Sequence, residues 1–193
     1  MHTEEQVLEI FEENNVLQSG HFILTSGLHS DRYAQCARIF EYPEIAQLVC
    51  ADLVEKLGGV EADLVMGAAV GGITMAYEMA RELGIPNIFA EREHGELKLR
   101  RGFSIPEGAR VLLVEDVVTT AKTVREMLPL IENTGATVAA VACIFDRTGG
   151  SVDFGVPFVS EVKLDVRNHD PADCPMCQAG SEAVEPGSRH LHQ

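Results

Sequence analysis

The apolar residues of this chain fall into two kinds of run. Near the start their spacing is helical: Val7, Leu8, Ile10 and Phe11 share one face, and Thr3 ahead of Glu4, Glu5 and Gln6 reads as a helix cap. A second stripe, Ile45, Leu48, Val49, Leu53 and Leu57, begins behind Pro43 and stops at Gly58-Gly59. Beyond residue 60 the pattern becomes short continuous apolar runs at 62–67, 87–90, 111–114 and 137–145. Helical segments fit between them at 73–83 and 124–133. Runs apolar at every position suit strands covered on both faces, and intervening helices make such a sheet parallel. The expected class is α/β. Ligands on these sheets bind at the carboxyl ends of the strands. There the chain places Gly67-Ala-Ala-Val-Gly-Gly72, Glu91-Arg92 and Glu115-Asp116, expected to converge on one rim.

Two stretches resist the pattern. Residues 19–38 are polar, punctuated by glycine and poorly periodic. The tail from Asn168 is irregular and rich in Pro, Gly and Cys, and is expected to wrap the domain or stay partly mobile.

Charge narrows the function. Thirty acidic residues against fifteen basic ones give −15, a surface that repels a phosphate backbone and anionic lipid. Neither nucleic acid nor membrane is an expected partner. No apolar run reaches membrane-spanning length, and the acidic, amphipathic start is unlike a signal peptide, so a cytoplasmic protein is expected. Five cysteines, an odd number, argue against a fully paired disulfide framework. Cys36, Cys50 and Cys143 sit in apolar contexts and are expected as inert core thiols. Cys174-Pro-Met-Cys177 is half a zinc site that His169, His190 or His192 could complete. A thiol pair, packed or exposed, is the preferred expectation, and no metal is assigned to protein ligands.

The candidate chemistry lies in 111–126, VLLVEDVVTTAKTVRE. An apolar strand that ends on Glu115 and Asp116 needs a reason, because unpaired buried charge is costly. The hydroxyls of Thr119, Thr120 and Thr123, with Lys122, then precede a helix start, where free N–H groups favour an anion such as phosphate. The acids just before such a cradle would face the sugar that carries the phosphate. Read alone, the segment fits equally an exposed acidic pair before an ordinary helix. It is not a P-loop, and 67–72 lacks the G-x-G-x-x-G spacing of dinucleotide folds. A second feature, 90–103, carries Arg92, Lys98, Arg100 and Arg101 beside His94 and Gly95. It reads as a β-hairpin arm, suited to a polyanion or else simply solvated. The glycines of 67–72 allow close backbone approach, or only a tight turn.

Taken together these segments resemble the phosphoribosyl-pyrophosphate (PRPP) motif and its surroundings in type I phosphoribosyltransferases. HFILTSGLHSDRY, MGAAVGGITMAYE, FAEREHGELKLRRGF, VEDVVTTAKT, FDRTGG and CPMC…EPGSR stand in the order seen in the orotate branch. The resemblance implies a mainly parallel twisted sheet flanked by helices, in a single domain over 1–193. Its core would span about 44–150, and a small hood about 19–40 plus the C-terminal segment.

It further implies that Glu115, Asp116, Val117, Val118, Thr119, Thr120, Ala121, Lys122 and Thr123 hold the ribose phosphate. Ala69, Val70 and Gly71 would take pyrophosphate with Arg100, and Thr119, Arg147, Ser26 and Gly27 would meet orotate. Glu115, Asp116, Lys98 and Arg92 are the implied catalytic set. Mg²⁺ would be held mainly by PRPP oxygens and water. Residues 91–103 would form a flexible loop that reaches the neighbouring subunit of a homodimer. The implied activity is transfer of phosphoribose from PRPP to orotate, with another base, or PRPP sensing without turnover, as alternatives. The chain departs from the pattern at Ala121-Lys122, where glycines are usual, and at Thr25, where a lysine is. It also lacks the arm's Lys-Asp-His-Gly.

Overall fold

Thr3 starts the first helix in the way its side chain favours. Its Oγ1 accepts from the Gln6 N–H at 3.3 Å, and the Gln6 side chain accepts from the Thr3 N–H at 3.0 Å. This capping box opens α1 (Glu4–Glu13), whose Val7 and Phe11 are fully buried. The computed structural model describes residues 1–24, 26–166 and 168–186, so Thr25, His190 and His192 lie outside the described residues.

The poorly periodic stretch is an antiparallel hairpin of β1 (Leu17–Ile23) and β2 (His29–Ala34). Its register shifts between Ser19 and Phe22, and that irregularity breaks the alternation that would have marked a strand. Pro43 opens α2 (Pro43–Lys56), and Gly58 and Gly59, both left-handed, take the chain away from it. The α/β part then runs β3 (Leu64–Ala68), α3 (Gly71–Leu83), β4 (Asn87–Glu93), β5 (Glu96–Leu99) and β6 (Arg110–Val118). It continues through α4 (Lys122–Glu132), β7 (Thr137–Asp146) and β8 (Phe158–Lys163). The tail forms β9 (Asn168–His169) and the short α5 (Pro175–Gln178).

Six strands make one sheet in the order β5-β4-β3-β6-β7-β8, parallel except for the β4–β5 edge. The parallel α/β reading therefore holds. β8 was not expected: FVSEVK has charge in a short run and occupies the sheet edge. Two strand ends also differ from expectation. β4 continues through Glu91-Arg92 to Glu93 and folds back as β5. β6 continues through Glu115-Asp116, pairing Val117 with Phe145 and Val118 with Asp146, so the acids lie inside the ladder.

The apolar run of β6 explains how both faces are covered. Leu112 and Val114 pack in one core with Val7, Phe11, Val49, Leu53, Met75 and Met79, from α1, α2 and α3. Leu113 and Val111 pack in a second core with Val124, Met127 and Ile131 of α4. The expected core thiols Cys36, Cys50 and Cys143 are all buried, and burial pushes each thiol pKa up. Gly67 marks where β3 meets α3, because a Cβ there would overlap the carbonyl of Gly72.

The second sheet is small, with the order β1-β2-β9. Ser30 pairs with Asn168 and His29 with His169. Val184 then exchanges backbone bonds with the first strand: its N–H donates to His21 O at 2.9 Å and its carbonyl accepts from Ile23 N–H at 2.8 Å. The tail thus wraps the hairpin, as one of its two expected behaviours required.

Candidate active site

Along β6 successive side chains alternate, so Glu115 follows Leu113 toward α4 and Asp116 follows Val114 toward α3. Burial pushes the Glu115 carboxyl up to about 8; the adjacent Asp116 charge adds to this and Arg92 offsets part of it. Its Oε2 is buried with no hydrogen-bond partner among the described residues. Burial raises the Asp116 pKa too, although its Oδ1 accepts from the Val117 N–H at 2.9 Å. Two acids held this way lower stability, and such groups concentrate where a ligand repays them.

Two helix ends flank them, and neither has a side-chain cap. The N-cap of α4 is Ala121, left-handed at φ 60°, and that of α3 is Val70. Helix geometry leaves first-turn N–H groups without intrahelical acceptors, with a partial positive charge at each end. Glu115 and residues 117–124 line a hollow of about 30 Å³ at the start of α4, including the hydroxyl residues Thr119, Thr120 and Thr123. On the other side Gly71 lies against Asp116: a Cβ at 71 would fall on the Asp116 carboxylate. The Ala69–Val70 peptide bond is cis. Two anion-attracting helix ends with carboxylates between them suit a ligand with phosphates at both ends and hydroxyls in its middle.

Ala121 occupies its position at a conformational cost, since a left-handed non-glycine residue is disfavoured by roughly 1–2 kcal/mol. Its methyl is nevertheless buried in the α4 core. Ala121→Gly is therefore expected to change stability by less than about 1 kcal/mol, because relief and lost packing oppose one another. Ala121→Val, branched at Cβ, is expected to cost about 2–3 kcal/mol. Denaturant midpoints check both.

A cavity of about 690 Å³ opens between hairpin and sheet. Thr119, Thr120, Arg147 and Ser26 line it, which brings together most of the residues expected to meet a base. Gly27 forms the hairpin tip instead, its N–H donating to Leu24 O at 2.9 Å. Arg147 is half-buried; its Nε has no partner among the described residues, and burial lowers its pKa. A guanidinium so placed suits an anionic ligand group. Sequence reading missed Arg32 and Tyr33, which also line the cavity, as do Asn168 and Glu185. Arg32 carried a usable signal, being the first Lys or Arg in a strongly acidic chain.

The basic arm is a hairpin, as expected, turning at His94-Gly95. Its cations pair with nearby carboxylates. Arg92 donates to Glu126 at 2.6 Å, Arg101 to Glu91 at 2.7 and 2.8 Å, and Lys98 to Glu93 at 3.4 Å. Arg100 lies 3.4 Å from Glu93. None of them lines the cavity of its own chain. Arg92 approaches the phosphate hollow through Glu126, which also lies 3.8 Å from Lys122.

A parallel sheet with two uncapped helix ends on its rim suits a phosphate-bearing ligand, and the chain belongs to the phosphoribosyltransferase family: the family described as phosphoribosyl transferase domain matches residues 38–164. Among curated proteins it is similar to the orotate phosphoribosyltransferase of Caldanaerobacter subterraneus, 51% identical over 97% of this chain and 98% of that one. The orotate phosphoribosyltransferase of Thermotoga maritima is 50% identical over 96% of this chain and 99% of its own. Among solved structures, the orotate phosphoribosyltransferase of Aeropyrum pernix superposes with a TM-score of 0.70 at 26% identity, over 82% of this chain and 93% of that one.

Proposed function

We propose that this protein is an orotate phosphoribosyltransferase that acts in pyrimidine nucleotide synthesis. Orotate nitrogen attacks C1 of PRPP, the bond to pyrophosphate breaks, and orotidine 5′-phosphate forms. The observation that carries this reading is Arg147, a half-buried cation facing the cavity that adjoins the hydroxyl-rich start of α4. A carboxylated base suits that cation. Near-full-length similarity to orotate enzymes supports the same choice.

In this reading the 5-phosphate sits on residues 119–123, and Glu115 and Asp116 accept bonds from ribose hydroxyls. In their ionised forms their charge also favours an oxocarbenium-like transition state. Ala69, Val70 and Gly71 offer pyrophosphate the start of α3. Thr119, Arg147, Ser26 and Gly27 orient orotate under the hood. Glu115, which lines the phosphate hollow and keeps one oxygen without a partner among the described residues, fits a cation held mainly by PRPP oxygens and water. Mg²⁺ bound there would neutralise charge on the departing pyrophosphate. Lys98, Arg92 and Arg100 act in trans: the protein works as a cytoplasmic homodimer of single-domain subunits whose 91–103 arms reach across. Their absence from their own chain's cavity is consistent with that arrangement.

The test mixes the protein with Mg²⁺, PRPP and orotate and follows orotate's ultraviolet absorbance. Turnover that requires all three supports the reading. Turnover only with another base, or PRPP binding without turnover, overturns it. Arg147→Ala is expected to raise KM for orotate about 10- to 100-fold, the range for one lost charge-assisted bond, with KM for PRPP nearly unchanged.

A further inference from the structure

The four side chains His21, His29, Cys174 and Cys177 meet inside the hood, and each presents one ligand atom. These atoms all lie within 4.8 Å of one another. The two cysteines come from the tail and the histidines from the hairpin; His29 and Cys177 are 148 residues apart in sequence. None of the four has a role in the proposed reaction.

Three of the separations between these atoms match a tetrahedral zinc ion. Cys174 Sγ lies 3.5 Å from His21 Nε2, Cys177 Sγ lies 3.4 Å from His29 Nδ1 and 3.8 Å from His21 Nε2. A zinc ion with bonds of about 2.0–2.1 Å to nitrogen and about 2.3 Å to sulfur spaces its ligands roughly 3.3–3.8 Å apart. His21 Nε2 and His29 Nδ1 stand closer, at 2.8 Å, and must part by about 0.5 Å around an ion.

The His21 ring is already oriented by its outer nitrogen. His21 Nδ1 lies 3.0 Å from the Ser181 carbonyl, and a carbonyl only accepts, so Nδ1 holds the ring proton. That leaves the Nε2 lone pair directed at the cysteines. Cys174, His21 and His29 are buried, whereas Cys177 is exposed and offers a way in for the ion.

The geometry points to a structural Zn²⁺ site of two cysteines and two histidines that fastens the C-terminal segment to the hood hairpin. Binding converts two thiols to thiolates and releases two protons, while the His29 ring proton moves to Nε2. The clamp holds in register the backbone pairing of Val184 with the first strand, just before Glu185 and Pro186 reach the cavity wall. The histidine partners are those of the distant hairpin. His169, the candidate nearest in sequence within the described residues, pairs its backbone with His29 and is outside the cluster.

Metal content decides the matter without any activity measurement. The full chain, purified under reducing conditions and dialysed, is expected to carry about one zinc per chain by elemental mass spectrometry. Replacing zinc with Co²⁺ should produce the intense visible bands of a tetrahedral ion and a thiolate-to-cobalt charge-transfer band. Cys177→Ser, at an exposed position, should lower the metal content while the protein stays folded, and His169→Gln should keep it. Chelation is expected to lower the thermal midpoint by about 5–15 °C. Failure of the reduced wild-type chain to retain zinc, with no thiolate band from Co²⁺, overturns the site. So does a Cys174–Cys177 disulfide found by mass in the freshly purified protein.

Discussion

Asp116→Asn is expected to lower kcat/KM for PRPP about 100- to 1,000-fold, the usual loss when one preorganised group facing a developing charge is removed. The fold should survive. Asparagine keeps an oxygen that can accept from Val117 N–H, as Oδ1 does at 2.9 Å, and it removes a carboxylate whose pKa burial has raised. The position is also constrained from the other side, because Gly71 leaves only enough room for this carboxylate. Circular dichroism and denaturant midpoints separate a chemical loss from a structural one. Near-normal turnover in a folded Asp116→Asn protein would show that the ribose does not lean on this acid.

Glu115→Gln should produce opposite effects on stability and function. Burial pushes the folded Glu115 carboxyl up to about 8, above its ordinary value of 4.5, so between those values the native state holds a proton that the unfolded state has released. Stability from this group therefore falls as pH rises through that window, and is constant below and above it. Glutamine does not titrate. The variant should match the wild type near pH 4 and become progressively more stable up to about pH 8, by at most about 5 kcal/mol, since each pKa unit corresponds to about 1.4 kcal/mol. Above about pH 8, where the Glu115 carboxyl is ionised, PRPP binding by the variant should be about 10- to 100-fold weaker than by the wild type, with the lost charge-assisted bonds. Urea midpoints at several pH values read the first effect, and calorimetry with PRPP the second. A stability difference that does not change with pH would mean that Glu115 is ionised throughout and partnered in solution.

Residue patterning alone specified the parallel sheet, the helices around it and the segment proposed to carry the chemistry. Continuous apolar runs with helices between them have few other solutions, and local signals such as Thr3, Pro43 and Gly58-Gly59 act over a few residues. Glu115 and Asp116 stood out for the same reason, as charge where an apolar strand has no use for it. Tertiary structure decided what depends on distant partners. β6 extends through the acids because β7 runs beside it, and the hood hairpin exists because a bulge and the returning tail complete its pairing. Arg32 reaches the cavity only once that hairpin closes over the sheet. Cys174 and Cys177 find His21 and His29, across most of the chain, by the same closure. Spacing along a sequence reports periodicity and short-range caps, whereas a site assembled from both ends of a chain exists only after the chain has folded back on itself.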